Sequence, residues 1–165
     1  MKFNIGDRIV YPMHGAGHIE GIEQQTVGGV LREYYCVCVL GSNIRLKLPV
    51  ESNGTVHLRP IISKEDAKQV LSHFSAFRVD TEQPWGKRYK ENMDRLKTGE
   101  PKEIAEVVKA LMLRDKTAGL SIGDRQLMLT AKNILVGELS MALERACEDI
   151  RAELSQTVEA SIQNQ

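Results

Sequence analysis

The stretch LREYYCVCVLGSNIRLKL, residues 31–48, contains the strongest strand pattern in the chain. Its first part, residues 31–40, is rich in tyrosine, valine and cysteine, which favour β-structure, and a Gly-Ser-Asn turn follows. In the returning segment, residues 44–48, aliphatic side chains alternate with Arg45 and Lys47. This alternation predicts a strand with one core face and one cationic face. The predicted core-facing residues are Ile44, Leu46 and Leu48.

Shorter strand patterns flank this hairpin. Residues 3–12 are a β-rich run that a proline ends, and the glycines within residues 14–25 favour a bent or bulged strand. A Gly-Gly pair at residues 28–29 predicts a hairpin turn, and residues 56–60 would close a five-stranded barrel of SH3 or Tudor type. Barrels this small seldom hold a deep pocket, so we expect function on an edge, a loop or an exposed face.

After the strands, the chain is typical of helices. Ser63 and Ser121 are predicted N-caps, because an aspartate follows each at the fourth position of a capping box. Pro101 is predicted to begin a helix at its first position, and aliphatic residues at i, i+3, i+4 and i+7 predict a buried stripe on that helix. Glycines at positions 99 and 119 are predicted to end helices. The stripe consists of Ile104, Val107, Val108 and Leu111.

These patterns together predict an α+β protein with a mainly β N-terminal half and an all-α C-terminal half. The predicted domains are residues 1–62, a small Tudor/SH3-like five-stranded barrel, and residues 63–165, a compact helical bundle. The chain becomes acidic and then polar after about residue 145, so we predict that this tail frays.

Residues 84–97 predict a helix that carries the only tryptophan of the chain, Trp85, together with several basic side chains. At about 100° per residue, Trp85 shares a stripe with Tyr89, Met93 and Leu96, while the cations spread over the remaining surface. Two interpretations stay open. The tryptophan anchors the helix in the core, or it stacks on or wedges against a base while the cations neutralise phosphates.

The distribution of charge favours a partner that meets the middle of the chain. The formal net charge is zero, yet basic side chains outnumber acidic ones in residues 85–134, and acidic ones dominate residues 138–165. A small bundle would bring Arg114, Arg125 and Lys132 onto one surface with the Trp85 helix.

Several side chains that enzymes use are present but poorly arranged. His14 and His18 lie in a glycine-rich, non-helical segment, and Cys36 and Cys38 are predicted to share one strand face as packing residues. A Cys-x-x-Cys pair, a nucleophile elbow and a phosphate-binding glycine loop are absent from the sequence. We therefore predict no enzymatic activity, catalytic residue, metal or cofactor. The alternative is a hydrolase or metal enzyme that uses His14, His18 or His57.

The sequence also bears on location and assembly. No window approaches 18 consecutive apolar residues, and the N-terminal residues lack the apolar core of a signal peptide. We expect a cytoplasmic protein without a membrane partner. No exposed heptad repeat indicates a coiled-coil dimer, so we expect a monomer.

Four motifs resemble one bacterial family. They are GDxIVYPxHGxG at residues 6–17, LP at 48–49, WxxRYK at 85–90, and LS at 120–121 followed by ILVGEL at 134–139. In order and spacing, residues 1–145 are similar to the CarD/CdnL family of RNA-polymerase-binding transcription regulators. The first motif is shared with the polymerase-interacting domain of the transcription-repair coupling factor, whereas the helical motifs with their tryptophan are specific to CarD/CdnL.

The resemblance implies a two-part mechanism. The Tudor-like domain would bind the β subunit of bacterial RNA polymerase, and the protein would be nucleoid-associated through the polymerase. The helical domain would contact promoter DNA without reading its sequence, at the upstream edge of the melted bubble. There the tryptophan would act as a minor-groove wedge and stabilise the open complex. The implied polymerase-facing residues are Gln25, Thr26, Val27 and Lys47. The expected DNA-contacting residues are Trp85, Lys87, Arg88, Lys90, Arg114, Arg125 and Lys132.

Two positions depart from the family pattern. Gln25 and Lys47 stand where the family often has arginine. Glutamine cannot make a charged fork contact, and lysine offers a point charge in place of a bidentate one. These departures bear on the affinity for polymerase. A separate alternative is a polymerase-binding scaffold, in which the basic helices are merely solvated and have no direct role on DNA.

Overall fold

The computed structural model of the chain describes residues 3–40, 44–51, 58–79 and 85–163, and the side chains of residues 85–87 are outside that description. The chain divides into two compact units, Met1–Ile61 and Ile62–Gln165. Strands are found in the first unit and helices in the second, which confirms the predicted α+β class. Within the described ranges, no helix combines the length and apolar character needed to cross a bilayer.

Five antiparallel strands form the first unit. They are β1 (Arg8–Tyr11), β2 (Gly15–Val27), β3 (Val30–Val39), β4 (Arg45–Pro49) and β5 (Arg59–Pro60). Their order across the sheet is β4-β3-β2-β1-β5. The predicted closure of the barrel is wrong for the described residues, because β5 pairs with β1 alone and leaves β4 as an open edge. Of the predicted last strand, Val56 and His57 are outside the described residues.

The backbone of the β2–β3 hairpin follows from its glycines. Gly28 and Gly29 have φ values of 59° and 81°, the left-handed conformation that a two-residue type I′ turn requires at both positions. The register of β2 against β3 shifts between Ile19 and Gly21, which confirms the predicted bulge. At Gly17 the strands approach so closely that a Cβ atom would lie 2.3 Å from the carbonyl oxygen of Cys38.

A small apolar core lies on one face of this sheet. Ile9, Ile19 and Val37 are fully buried, and the buried Tyr35 hydroxyl accepts a hydrogen bond of 2.9 Å from the backbone N–H of Phe3. The alternation predicted for residues 44–48 is only partly right. Leu46 and Leu48 are half-buried, but Ile44 precedes β4 and is 48% exposed.

Five helices form the second unit. They are α1 (Lys64–Ala76), α2 (Trp85–Lys97), α3 (Pro101–Thr117), α4 (Ile122–Leu143) and α5 (Cys147–Gln163). The predicted caps are confirmed, since the Ser63 hydroxyl accepts from the N–H of Asp66 at 3.0 Å and the Ser121 hydroxyl accepts from the N–H of Asp124 at 3.2 Å. Pro101 begins α3 as predicted.

Helix α3 is the centre of the helical unit, where it contacts each of the other four helices. The predicted stripe of Ile104, Val107, Val108 and Leu111 is buried, but so are residues on the remaining sides of the helix. The buried set extends to Ala105, Lys109, Met112 and Leu113. Fully exposed residues of α3 are confined to its ends, at Lys102, Lys116 and Thr117, because neighbouring helices cover most of its length.

The predicted fraying after about residue 145 is wrong. The chain reverses at Glu144, which has the left-handed φ of 54°, and then forms α5. Ile150, Leu154 and Val158 recur every fourth residue along α5 and are buried. These three residues are enough to dock a helix whose other positions are acidic or polar.

Candidate functional site

The outer face of the β-sheet, opposite its core, carries two of the residues expected to bind polymerase. Gln25 pairs with Arg32 of β3, and Lys47 of β4 pairs with Cys36 of β3. Side chains separated by an even number of residues point to one side of a strand, so Gln25 and Lys47 share this face. Thr26 is one residue out of phase with Gln25 and therefore faces the opposite side.

The β2–β3 ribbon extends beyond the core and exposes apolar side chains near its turn. All residues from 22 to 33 are exposed to solvent. The large apolar residues nearest the turn are 47% to 63% exposed, a high value for aliphatic side chains that lie close together. They are Val27, Val30 and Leu31. Ile22 is 41% exposed and lies farther along the ribbon, opposite Tyr35. Val27, expected to face polymerase, therefore lies in an apolar patch at the tip of the ribbon.

Lys47 is held by an ion pair within the sheet. Its Nζ lies 2.9 Å from Oε2 of Glu23, and next to it Arg45 Nε lies 3.2 Å from Oε2 of Glu20. The hydrogen bond to Lys47 lowers the pKa of Glu23, and the same bond raises the pKa of Lys47. A partner that binds Lys47 must therefore compete with Glu23.

The histidines and cysteines of the sheet have ordinary structural surroundings. His14 stacks on Tyr11 with ring centroids 4.7 Å apart, and His18 Nε2 lies 3.8 Å from Oε1 of Glu20. Burial, and after it the charge of Glu23, raises the pKa of the Cys36 thiol, which disfavours the reactive thiolate. No cluster of three metal-ligating side chains occurs among the described residues, and His57 lies outside them.

Helix α2 carries the expected DNA-contacting residues closest to the tryptophan. Trp85 and Lys87 lie in its first turn, but their side chains are outside the described part of the structure. Lys90 is exposed, whereas Arg88 is half-buried. The predicted apolar stripe is buried toward the end of the helix, at Leu96, and Tyr89 is 42% exposed.

An ion-pair cluster that sequence reasoning missed fixes α2 to its neighbours. Oε1 of Glu106, on α3, lies 2.8 Å from Nε2 of His73, on α1. The other carboxylate oxygen of Glu106 forms an ion pair with Arg95 of α2. One half-buried carboxylate thus connects three helices. Nothing in the spacing of these residues indicates the contact, since they belong to separate helices.

A cleft in the helical unit brings together Arg88 and Arg114, two of the expected DNA-contacting residues. Its volume is about 330 Å³, and it lies among the segment after α1, helices α2 and α3, and the first turn of α4. Arg95 and the buried Asp124 contribute further charged walls, and Leu113 contributes an apolar one. The cleft therefore combines both signs of charge with apolar surface.

Arg125 and Lys132 belong to a second basic group, on the side of the unit formed by α3, α4 and α5. Arg125 Nη2 donates to Oδ1 of Asp115 at 3.1 Å. Burial lowers the pKa of the half-buried Lys132, and the nearby charges of Arg151 and Lys116 lower it further. Asp115 lies close to both Arg125 and Lys132.

Two buried charged residues that sequence reasoning missed organise the helical unit. Lys109 Nζ donates to the carbonyl oxygens of Ser75 at 2.9 Å and Phe77 at 2.7 Å, at the end of α1. Glu138 Oε2 accepts from the backbone N–H of Ile62 at 3.1 Å. For Lys109, the sequence did contain a signal of a buried charge, because it is a single lysine inside the otherwise apolar run of residues 107–113.

Comparison with known proteins assigns both halves of the chain. Residues 69–155 match the family model described as "CarD, C-terminal domain", and residues 3–62 match the model described as "CarD-like/TRCF RID domain". The chain belongs to the CarD family. This confirms the resemblance seen in the sequence motifs. The two matched ranges correspond to the β unit and the helical unit of this CarD-family chain.

A bacterial relative supports the same assignment. The CarD-family chain is 37% identical over 139 residues to the protein named "Putative transcription factor YdeB" of Bacillus subtilis (strain 168). The aligned region covers 84% of this chain and 91% of the relative. The chain is accordingly a transcription regulator, and its family is of the transcription-factor type rather than a known class of enzymes.

Proposed function

We propose that this CarD-family chain acts at transcription initiation. Its β unit binds the β subunit of bacterial RNA polymerase, and its helical unit contacts promoter DNA and stabilises the open complex. The observation that carries the proposal is the union of a CarD-like/TRCF RID domain and a CarD C-terminal domain in one chain. Joining a polymerase-binding domain covalently to a helical domain, whose residues 85–134 carry an excess of basic side chains, raises the concentration of the helical domain at the promoter, so its DNA contact can be weak.

The polymerase contact involves the outer sheet face and the ribbon. Gln25 and Lys47 share that face, and Val27 lies in the apolar patch near the turn. Because Gln25 is neutral and Lys47 is paired with Glu23, the contact depends more on apolar burial and less on ion pairs. Thr26, on the opposite face of the ribbon, contributes where the partner wraps the turn.

The DNA contact involves Trp85 as a wedge and the surrounding cations. Lys87, Arg88 and Lys90 lie within about one and a half turns of Trp85 on α2, while Arg114, Arg125 and Lys132 come from other helices. Inserting an aromatic ring at a base step costs a few kcal/mol in intact duplex and less where the strands already part. The wedge therefore prefers melted DNA, and about 1.4 kcal/mol of such preference changes the ratio of open to closed complexes tenfold.

A measurement of promoter melting at equilibrium tests this function. The cognate polymerase is held at a temperature where a minority of promoters are open, and permanganate reactivity of unpaired thymines reports the open fraction. We expect the chain to raise that fraction, and we expect the effect to fall as salt increases, because phosphate contacts release counterions. An open fraction that does not change when the chain is added would refute the proposal.

The setting follows from the same proposal. The chain works as a monomer in the cytoplasm, reaches the nucleoid through polymerase and requires no membrane partner. A monomer suffices because one β subunit and one upstream bubble edge are present in each complex.

A further inference from the structure

The first turn of helix α4 exposes an apolar side chain beside helix α2. Ile122, the first residue of α4, is 82% exposed, the highest value of any large apolar residue in the described ranges. At the next residue, Gly123, a Cβ atom would lie 3.8 Å from Cε2 of the Tyr89 ring. Tyr89 is itself an exposed residue of α2. Ile122 and Tyr89 thus meet at one solvent-facing surface, which we call the apolar ledge.

Helix capping and core packing do not account for Ile122. The cap of α4 is completed by the Ser121 hydroxyl, and the residue in position to form a hydrophobic staple is Leu120, before the cap. A β-branched residue at the start of a helix also adds nothing to helix propensity. One exposed aliphatic side chain is ordinary on a protein surface, but here an exposed aromatic ring from a second helix adjoins it.

The position of the ledge connects it with the proposed wedge. Tyr89 follows Trp85 by four residues, about 6 Å along the axis of α2, so the two positions lie on one face of that helix. The first turn of α4 then continues this face beyond Tyr89. A duplex that receives the wedge is wide enough to extend over the ledge as well.

The charges around the ledge fit a nucleic acid. Lys90 follows Tyr89 and is exposed. Arg125 lies one turn beyond Ile122 and is exposed, although it also donates to Asp115. The positive end of the α4 dipole adds to these cations. The walls of the minor groove have a matching pattern, because deoxyribose rings present C–H groups between the phosphates of the backbone.

We propose that the apolar ledge packs against deoxyribose rings in the minor groove of promoter DNA and thereby positions Trp85 at the parting base pair. The inference rests on the proposed DNA contact of the helical unit. Deoxyribose has the same shape at every base pair, so the contact adds affinity without reading sequence. Ile122 is therefore a positioning residue, which stays outside the base stack.

Binding of the full chain to a forked DNA duplex tests the ledge, with the DNA labelled for fluorescence anisotropy. We expect Ile122→Ser to weaken binding about fivefold, the effect of no longer covering roughly half of an aliphatic side chain. Ile5→Ser makes the same change at a 65% exposed position of the β unit and should bind as wild type does. Thermal unfolding reports whether both variants are folded. Equal affinities of Ile122→Ser and wild type would overturn the proposal.

The salt dependence of the same binding separates an apolar contact from a charged one. Each phosphate that a cation neutralises contributes about 0.9 to the slope of log affinity against log salt. Ile122→Ser should reduce affinity by the same factor at every salt concentration, whereas Lys90→Gln should reduce the slope by about 0.9. A reduced slope in Ile122→Ser would mean that the change displaces cations, which contradicts a direct apolar contact.

Isoleucine methyl NMR locates the contact on the DNA. In the complex of the full chain with the fork, we expect nuclear Overhauser effects between the δ1 methyl group of Ile122 and deoxyribose protons. The Ile5 methyl group should show none. A complex in which the Ile122 methyl group contacts no sugar proton would refute the ledge.

Two comparisons distinguish failure of the ledge from failure of the proposed function. Polymerase is absent from the fork titrations, and Trp85→Ala is measured beside Ile122→Ser. If only Trp85→Ala weakens binding, the ledge is refuted and the proposed DNA contact stands. If neither variant weakens it, both are refuted. If Ile122→Ser binds the fork normally but binds the polymerase β subunit weakly, a protein covers the ledge and the DNA assignment is overturned.

Discussion

At the scale of single residues, Lys109 shows how a buried charge stabilises the helical unit. Its ammonium group hydrogen-bonds two carbonyl oxygens that the end of α1 leaves without helical partners, and it lies 5.7 Å from the centroid of the Phe74 ring. Burial lowers the pKa of Lys109. The positive charge nevertheless faces the negative end of a helix, where cations are favoured.

Replacing Lys109 with methionine should destabilise the protein by about 2 kcal/mol, because the carbonyls of Ser75 and Phe77 lose their donor in a buried site. Urea unfolding gives the free energy of unfolding directly. Lys102→Met is the matched control, since Lys102 is an exposed residue of the same helix. Equal free energies of unfolding for the two variants would show that the Lys109 contacts contribute nothing.

The Glu23–Lys47 pair makes a prediction about pH. The pKa of Glu23 is lowered in the folded protein, so the pair stabilises the fold above the ordinary pKa of a glutamate and loses this contribution as pH falls through the lowered value. In Lys47→Gln, the pKa of Glu23 measured by NMR titration should rise toward its ordinary value. Arg45→Gln, which removes the partner of Glu20, should leave the Glu23 titration nearly unchanged. An unaltered Glu23 pKa in Lys47→Gln would contradict the pairing.

At the scale of secondary-structure elements, the β2–β3 ribbon presents two different surfaces to a partner. Its tip is apolar, and its base carries the Glu23–Lys47 pair. The turn itself was predictable, because a Gly-Gly pair between strand patterns is a local signal. The pairing of Lys47 with Glu23 was not, because it depends on the register of β4 against β3 and of β3 against β2.

Replacing Lys47 with glutamate should weaken binding of the chain to a polymerase β-subunit fragment by about tenfold. The change removes a positive charge from the proposed interface and places a second carboxylate beside Glu23. Binding is measured by fluorescence anisotropy with the β fragment labelled. Lys102→Glu is the control, because Lys102 is an exposed residue of α3 in the helical unit, away from the proposed polymerase-binding face. A Lys47→Glu variant that binds as tightly as wild type would move the interface elsewhere on the sheet.

Helix α5 is integral to the helical unit. Leu154 is fully buried, so Leu154→Ala should lower the free energy of unfolding by about 3 kcal/mol. Leu129→Ala provides the matched control on α4, where the side chain is 51% exposed. A loss for Leu154→Ala no greater than the control loss would mean that α5 does not stabilise the core.

At the scale of the whole molecule, the features predicted from the sequence were those with local causes. The caps at Ser63 and Ser121 and the stripe on α3 depend on residues within a turn or two of each other. Glu106 and Lys109 act across helices, so spacing along the chain gave no indication of their partners. The docking of α5 was missed because its three buried residues are separated by acidic and polar ones.

In the proposed mechanism, one chain joins a unit that binds polymerase to a unit that contacts DNA, so neither contact has to be strong alone. In this proposed mechanism, the polymerase brings the helical unit to every promoter, and the preference of the wedge for parted strands determines the effect. Because the proposed DNA contact does not read the base sequence, we expect a general action, in which differences among promoters arise from the stability of their own open complexes.

The lifetime of the open promoter complex tests this account most directly. Complexes formed by the cognate polymerase are challenged with a competitor, and their decay is followed with wild-type chain, with Trp85→Ala and with no chain. We expect wild type to lengthen the lifetime about tenfold, and we expect Trp85→Ala to bind the β subunit normally while losing most of that effect. A lifetime that Trp85→Ala extends as much as wild type would contradict the wedge.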